Sequence, residues 1–232
     1  FSGGQSHQTP RIDAFSSDAV FYENAYADAP NCAPSRCSML TGLATPRHGV
    51  LTVGSSRRGK PELRKVEPVP SVRFLSSDVT TLPDRLQEND YRTVHIGKFH
   101  VGTDPLEYGF TDQIGGSGAG HPKSYSSPYR NPALVDGANG EYLTDRLADE
   151  AIQFIESDGD QPLFMHLSFY SVHTPIQPRN DLLADSKRRL PRARGIEQRY
   201  DAMVSAVDEA FGRVLDAFES RERPRMIIFT SD

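Results

Sequence analysis

The sequence predicts an α/β domain with a largely parallel sheet. Three observations carry this. Two continuous apolar runs, LFMHLSFY at 163–170 and MIIFT at 226–230, have the composition of strands covered on both faces. Amphipathic helical stripes alternate with the apolar runs. Helix and strand recurring in turn is the pattern of helices laid over a parallel sheet.

The elements follow in order. Residues 19–26 (AVFYENAY), rich in aromatics, read as a first strand. A short helix is expected around 81–88, and the β-branched TVHI at 93–96 reads as the next strand. Over 141–157, Leu143, Leu147, Ala151, Phe154 and Ile155 share one helical face. The run at 163–170 is the third strand. Over 197–220 the stripe is Tyr200, Met203, Val204, Val207, Phe211, Val214, Leu215 and Phe218, a strongly amphipathic helix. The run at 226–230 is the fourth strand. Two long loops, 52–78 and 115–139, separate these elements, and loops of such length are usually functional or disordered. The second opens with GGSGAG at 115–120. That cluster lacks the Lys-Ser/Thr ending of a phosphate-binding loop and reads as a flexible surface loop.

At 232 residues the chain is long enough to bury a core without disulfide staples. Its 31 acidic against 26 basic side chains give a net charge of −5, which weighs against nucleic acid as main partner. No apolar run approaches the roughly 20 residues of a membrane helix. Cys32 and Cys37 are too few for a disulfide framework or a cysteine-built zinc site. The chain opens at FSGG without an initiator Met and stops at IIFTSD, where an α/β enzyme usually presents a site residue. Residues 1–232 therefore read as a fragment or a processed piece, cut at both ends.

The densest chemistry lies at 31–42, NCAPSRCSMLTG. Pro34 suits the first turn of a helix, and Cys32 would stand at its N-terminus. Free backbone N–H groups and the positive dipole end there favour an anion, and Arg36 adds a permanently charged planar donor. Physics alone offers an activated cysteine beside an anion site. Lys98 and His100 follow a predicted strand, two apart, so both can face one site. His173 follows the 163–170 strand and precedes a Thr-Pro. His95 and His166, inside strands, read as structural, and Cys37 as buried packing. His48 and His121 are candidate substrate contacts.

Cys32-x-Pro34-Ser35-Arg36 followed by Leu40-Thr41-Gly42 resembles the signature of the type I sulfatases. Four further segments resemble that family in the same order. They are Thr9-Pro10-Arg11-Ile12-Asp13 (TPNID in the family), Gly97-Lys98-Phe99-His100-Val101-Gly102 (GKWHLG), His173-Thr174-Pro175 (HxP) and Phe229-Thr230-Ser231-Asp232 (the start of FTSD(N/H)G). The resemblance implies an alkaline-phosphatase-like three-layer sandwich, with the pair of metal-binding Asp residues outside this chain. It implies that a formylglycine-generating maturation enzyme oxidises Cys32, and that the resulting gem-diol, on one Ca2+, attacks sulfate monoesters. Cys32 and Asp232 would be metal ligands, Arg36 and Lys98 would hold developing charge, His100 would deprotonate the second hydroxyl, and His173 would serve the leaving alcohol or bind sulfate. The 115–146 region is similar to bacterial sulfatases acting on polysaccharides, which implies a sulfated carbohydrate substrate, with Lys123, Tyr125 and Tyr129 as sugar contacts. Such relatives are usually exported. Phosphonate or phosphate monoester hydrolases of the same superfamily, a catalytically inactive binding relative, and a plain cysteine hydrolase are the alternatives.

Overall fold

The computed structural model describes residues 7–232 apart from Ser56, Arg58, Asp158, Asp160 and Glu222; the FSGG opening lies outside them. A parallel sheet of three strands has the order β2 (Asp112–Ile114), β1 (Arg92–Gly97), β3 (Leu163–Ser168). The register between β1 and β3 runs from Arg92 opposite Leu163 to Gly97 opposite Ser168. Both strands therefore end together, and whatever follows Gly97 and Ser168 emerges side by side.

Helices α5 (Leu143–Glu156) and α7 (Gly195–Glu219) cover one face. Leu143, Leu147, Ala151 and Ile155 repeat every four residues and are fully buried against Met203, Ala206, Ala210 and Val214 of α7. Burying each large apolar side chain is worth about 1.5–3 kcal/mol. The alanines let the two helix backbones approach closely. Helix α1 (Pro10–Ser17) docks on α7 through the buried Asp208, whose carboxylate accepts from the backbone N–H of Arg11 at 3.1 Å and of Ile12 at 2.8 Å. Those are two of the donors that a helix start leaves unsatisfied.

On the other side a second core holds α2 (Cys32–Thr41). Ala33, Cys37 and Leu40 pack there with Phe99, Val101, Tyr108 and Phe110. Cys37 is fully buried, as expected. The helix stops at Gly42, at φ 68°, whose N–H donates to the Ser38 carbonyl at 2.8 Å. Helix α3 (Thr45–His48) follows. Helix α4 (Leu82–Gln87) opens with a capping box, in which the Thr81 N–H donates to Asp84 at 2.8 Å. Helix α6 (Asn180–Arg189) precedes α7.

Two predicted strands are absent from the sheet. Residues 19–26 form an exposed loop with a turn at Glu23-Asn24, and Val20, Tyr22 and Tyr26 are more than three-quarters exposed. Glu23 and Asn24 are turn formers that divide the aromatic run in two. Residues 226–230 are extended but outside the sheet. Phe229 meets Phe211 of α7 edge-on at 5.1 Å, so its burial comes from a helix and not from a strand. The third apolar run is a strand, but an edge one, and most of β3 is only half-buried.

Candidate active site

The site gathers where β1, β3 and the start of α2 meet. Past Gly97, the Lys98 N–H donates to the Ser168 carbonyl at 2.8 Å, extending the parallel ladder by one residue. Gly97 itself is at φ 97°, and a Cβ there would stand 2.1 Å from the Ser168 carbonyl oxygen, so only glycine lets the strands end this way. Lys98 and His100 are both buried. His100 sits at φ 60°, a left-handed conformation that side chains seldom adopt, held by its N–H to the Ser117 carbonyl at 3.0 Å. Strain of this kind collects at functional positions.

Cys32 is the first residue of α2, and its Sγ lies 3.2 Å from His100 Nδ1. Asn31 makes no side-chain cap, which leaves the helix start facing the site. Arg36, one turn further on the same face, is 6% exposed. Its Nε donates to Asp232 Oδ2 at 2.7 Å, and one terminal nitrogen donates to the Lys98 carbonyl at 2.8 Å and to Ser168 Oγ at 2.5 Å. One guanidinium thus ties α2 to both strand ends and to the chain's last residue. Lys98 Nζ stands 3.7 Å from the same carboxylate oxygen.

Burial pushes the His100 imidazole down to about 4, with the Lys98 and Arg36 charges acting in the same direction, so it is neutral at pH 7. Burial and Arg36 also lower the Lys98 ammonium, against Asp232 and Cys32. Burial works to raise Asp232, but Arg36 and Lys98 outweigh it and hold the carboxylate ionised. Two cations facing one carboxylate leave a partly desolvated site with room for a further anion.

His173 lies just beyond β3, half-buried. Its Nδ1 is 3.0 Å from the Thr174 carbonyl, which can only accept, so Nδ1 donates to it. Its ring stacks on His121 at 5.7 Å, but it does not hydrogen-bond to Cys32, Arg36, Lys98 or His100. The structure therefore brings Cys32, Arg36, Lys98, His100 and Asp232 together, with His173 at the rim.

Three candidate contacts move to the core. His48 is buried, with Nε2 3.0 Å from Ser38 Oγ and Nδ1 accepting from the Val50 N–H at 3.1 Å. Tyr125 and Tyr129 are fully buried. The Tyr125 hydroxyl donates to the Tyr170 and His173 carbonyls, and that of Tyr129 to Glu141 at 2.6 Å. Lys123 is exposed. Ser168 was missed, although one hydroxyl near the end of an apolar run was its signal. The 115–120 glycines were misread as a flexible loop. A Cβ on Gly116 would stand 2.5 Å from Pro105, on Gly118 2.8 Å from the Phe74 ring, and on Gly120 2.3 Å from the His100 ring. The missing side chains let the loop lie directly on three rings.

Calcium needs six or more oxygen ligands. Asp232 is the one carboxylate bonded within this cluster, and its Oδ2 is taken by Arg36 and Lys98. Among the described residues no group of three or more His, Cys, Asp or Glu is arranged to hold a metal. These residues alone do not fit a calcium ion. No helix among the described residues is long and apolar enough to cross a membrane.

A parallel sheet with its ionisable cluster at the strand C-termini, biased toward anions, defines an α/β enzyme scaffold for an anionic group. The sulfatase family model matches residues 1–232, and the chain belongs to the sulfatase family. It is 25% identical over 258 residues to the human (Homo sapiens) N-acetylgalactosamine-6-sulfatase, covering 99% of this chain and 46% of that protein. It is 27% identical over 270 residues to a sulfatase of Formosa agariphila, covering 94% and 48%. Among solved structures, Ps i-CgsB bound to k-i-k-neocarrahexaose superposes with a TM-score of 0.74 at 25% identity, covering 94% of this chain and 51% of that one. The phosphonate monoester hydrolase of Agrobacterium radiobacter shares the fold, with a TM-score of 0.65 at 19% identity, covering 94% and 56%. The chain spans about half the length of the relatives it matches.

Proposed function

We propose that this chain is the N-terminal part of the catalytic domain of a sulfatase that removes sulfate from a sulfated carbohydrate, with residue 32 matured to formylglycine. One observation carries the reading: Cys32, Arg36, Lys98 and His100 converge on one partly buried point at the start of α2. The formylglycine aldehyde, once hydrated, would supply the oxygen that attacks sulfur. The chain's own residues do the rest. The cysteine is the first residue of a helix without a side-chain cap, so its substituent stands at the positive end of the helix dipole. Arg36 and Lys98 hold the negative charge that grows on the transferring sulfate. His100, neutral at Nδ1 and 3.2 Å from the Cys32 side chain, is placed to take a proton from it. His173, whose Nδ1 alone is engaged by Thr174, is the candidate to serve the leaving oxygen through Nε2. The carbohydrate substrate is supported by relatives whose names and complexes carry sugars.

Peptide mass spectrometry tests the maturation. Coexpressed with a formylglycine-generating enzyme, the peptide containing Cys32 should lose about 18 Da, the elemental difference between cysteine and formylglycine. An unmodified thiol throughout, with no turnover of sulfate esters, would sink the reading. Turnover of phosphonate monoesters in preference to sulfate esters would reassign the protein within the superfamily.

A further inference from the structure

Beside the reacting group lies a cleft of about 420 Å³, within the ordinary range for a small-ligand site. His100 forms one wall, so the cleft opens directly off the point where sulfate would be bound. Ala33 of α2, the Gly54-Ser55 turn, Arg73 and Phe74 form the others. Arg73 is exposed, its guanidinium centred 4.8 Å above the Phe74 ring. Gly118 makes this platform possible, since any Cβ there would strike that ring. The segment is anchored on both sides: the Val72 N–H donates to the Gly49 carbonyl and the Leu75 N–H to the Val101 carbonyl, each at 3.0 Å. Among the described residues no carboxylate lies within ion-pair reach of Arg73, and none lines the cleft. A guanidinium over an aromatic face with no carboxylate partner keeps its N–H donors for a planar or tetrahedral anion.

We infer that this cleft is a second anion subsite, in which Arg73 on its Phe74 platform selects sugars carrying a carboxylate or a further sulfate beside the sulfate that is removed. The inference rests on the sulfatase reading and adds the charge pattern of its substrate. Arg73 is a specificity-determining residue, outside the cluster that acts on sulfur. A neutral sugar would leave its guanidinium in water at no gain.

The test is calorimetric binding to the full-length protein with Cys32 unmatured, so that turnover does not enter. Three probes separate the sources of the anion: a monosulfated hexosamine, the same sugar with a second sulfate, and the monosulfated sugar linked to a hexuronate. At least one dianionic probe should bind more tightly than the monosulfated one, and Arg73→Ala should cut that advantage about tenfold or more. Arg73→Lys should recover part of it. Loss confined to the disulfated probe assigns the subsite to sulfate, and loss confined to the uronate probe assigns it to a carboxylate. Binding of all three probes with an affinity order that Arg73→Ala leaves unchanged overturns this inference alone. Failure of every sulfated probe to bind overturns the sulfatase reading and this inference with it.

Discussion

Arg36 does structural and electrostatic work at once. Replacing it by lysine keeps a charge but loses the planar fork that reaches Asp232, the Lys98 carbonyl and Ser168 together. Arg36→Lys should lower kcat by about a hundredfold or more, the usual effect of removing one preorganised charge contact. Its stability should fall by less than about 3 kcal/mol, because Asp232 keeps some contact with water and with Lys98. Kinetics beside denaturant melts check both, and near-normal turnover would move Arg36 to a purely structural role. A second residue-scale prediction concerns the paired imidazoles of His95 and His166, with Nδ1 atoms 3.1 Å apart. His95 Nε2 lies 3.1 Å from the Gly97 carbonyl and must donate to it, so His95 Nδ1 accepts and His166 Nδ1 donates. Protonating either ring breaks this arrangement. Burial lowers both, His166 to about 3 and His95 well below 6.5. Above about pH 6.5 both are neutral in folded and unfolded chains and cost nothing. As pH falls below 6.5 the unfolded chain gains protons that the folded one refuses, so stability falls by about 1.4 kcal/mol per pH unit per group. For His166 the loss is complete only near pH 3. Denaturant melts between pH 7.5 and 4.5 should show this slope, and His166→Phe should flatten it. An unchanged slope in the variant would rule the pair out as its source. The cluster residues were legible because their sequence pattern constrains them: Cys32 and Arg36 are one helical turn apart, and Lys98 and His100 two apart after a strand. Ser168 and Asp232 as partners of Arg36 were not, since nothing in sequence measures a contact across 132 or 196 positions.

At the scale of elements, periodicity decided what could be read. The helices over 143–156 and 195–219 declare themselves through stripes long enough to average out noise. An apolar run carries no such internal check, because a strand exists only by pairing with a neighbour. TVHI and LFMHLS meet each other in register, while residues 19–26 and 226–230 meet no ladder within the described residues. The short helices α1 and α6 and the three-residue strand β2 fall below what a stripe can show. The glycine loop was illegible for another reason: glycine's meaning depends on what it approaches. Gly120 leaves room for the His100 ring, so Gly120→Ala should push that ring off its Cys32 contact. Expected are a drop in kcat of tenfold or more and a stability loss of about 1–3 kcal/mol, typical of overpacking. Gly195→Ala, which like Gly120 lies outside the positive-φ region but has no atom within 4 Å of the added Cβ, is the control and should leave kcat unchanged. Equal kcat losses in both variants would show that the histidine's position is not responsible.

For the whole molecule, charge is distributed unevenly. A chain with net charge −5 keeps two cations against one carboxylate at the strand ends, so attraction for an anion is local and not a property of the overall surface. The same imbalance bears on calcium. A divalent cation entering beside Arg36 and Lys98 would meet two positive charges already on Asp232 Oδ2 and would need five or more further oxygens. The described residues offer no such group. A ligand stabilises the folded state only where its concentration exceeds its dissociation constant. The 232-residue chain, melted with a chelator and with calcium up to several millimolar, about the weak end of extracellular calcium sites, should therefore show the same melting temperature. The chain with its natural flanking sequence, if those segments bring carboxylates to Asp232, should melt higher with calcium, and the gain should vanish in Asp232→Ala. A calcium-dependent rise in the 232-residue chain itself would mean that its own side chains assemble a metal site despite the two cations on Asp232.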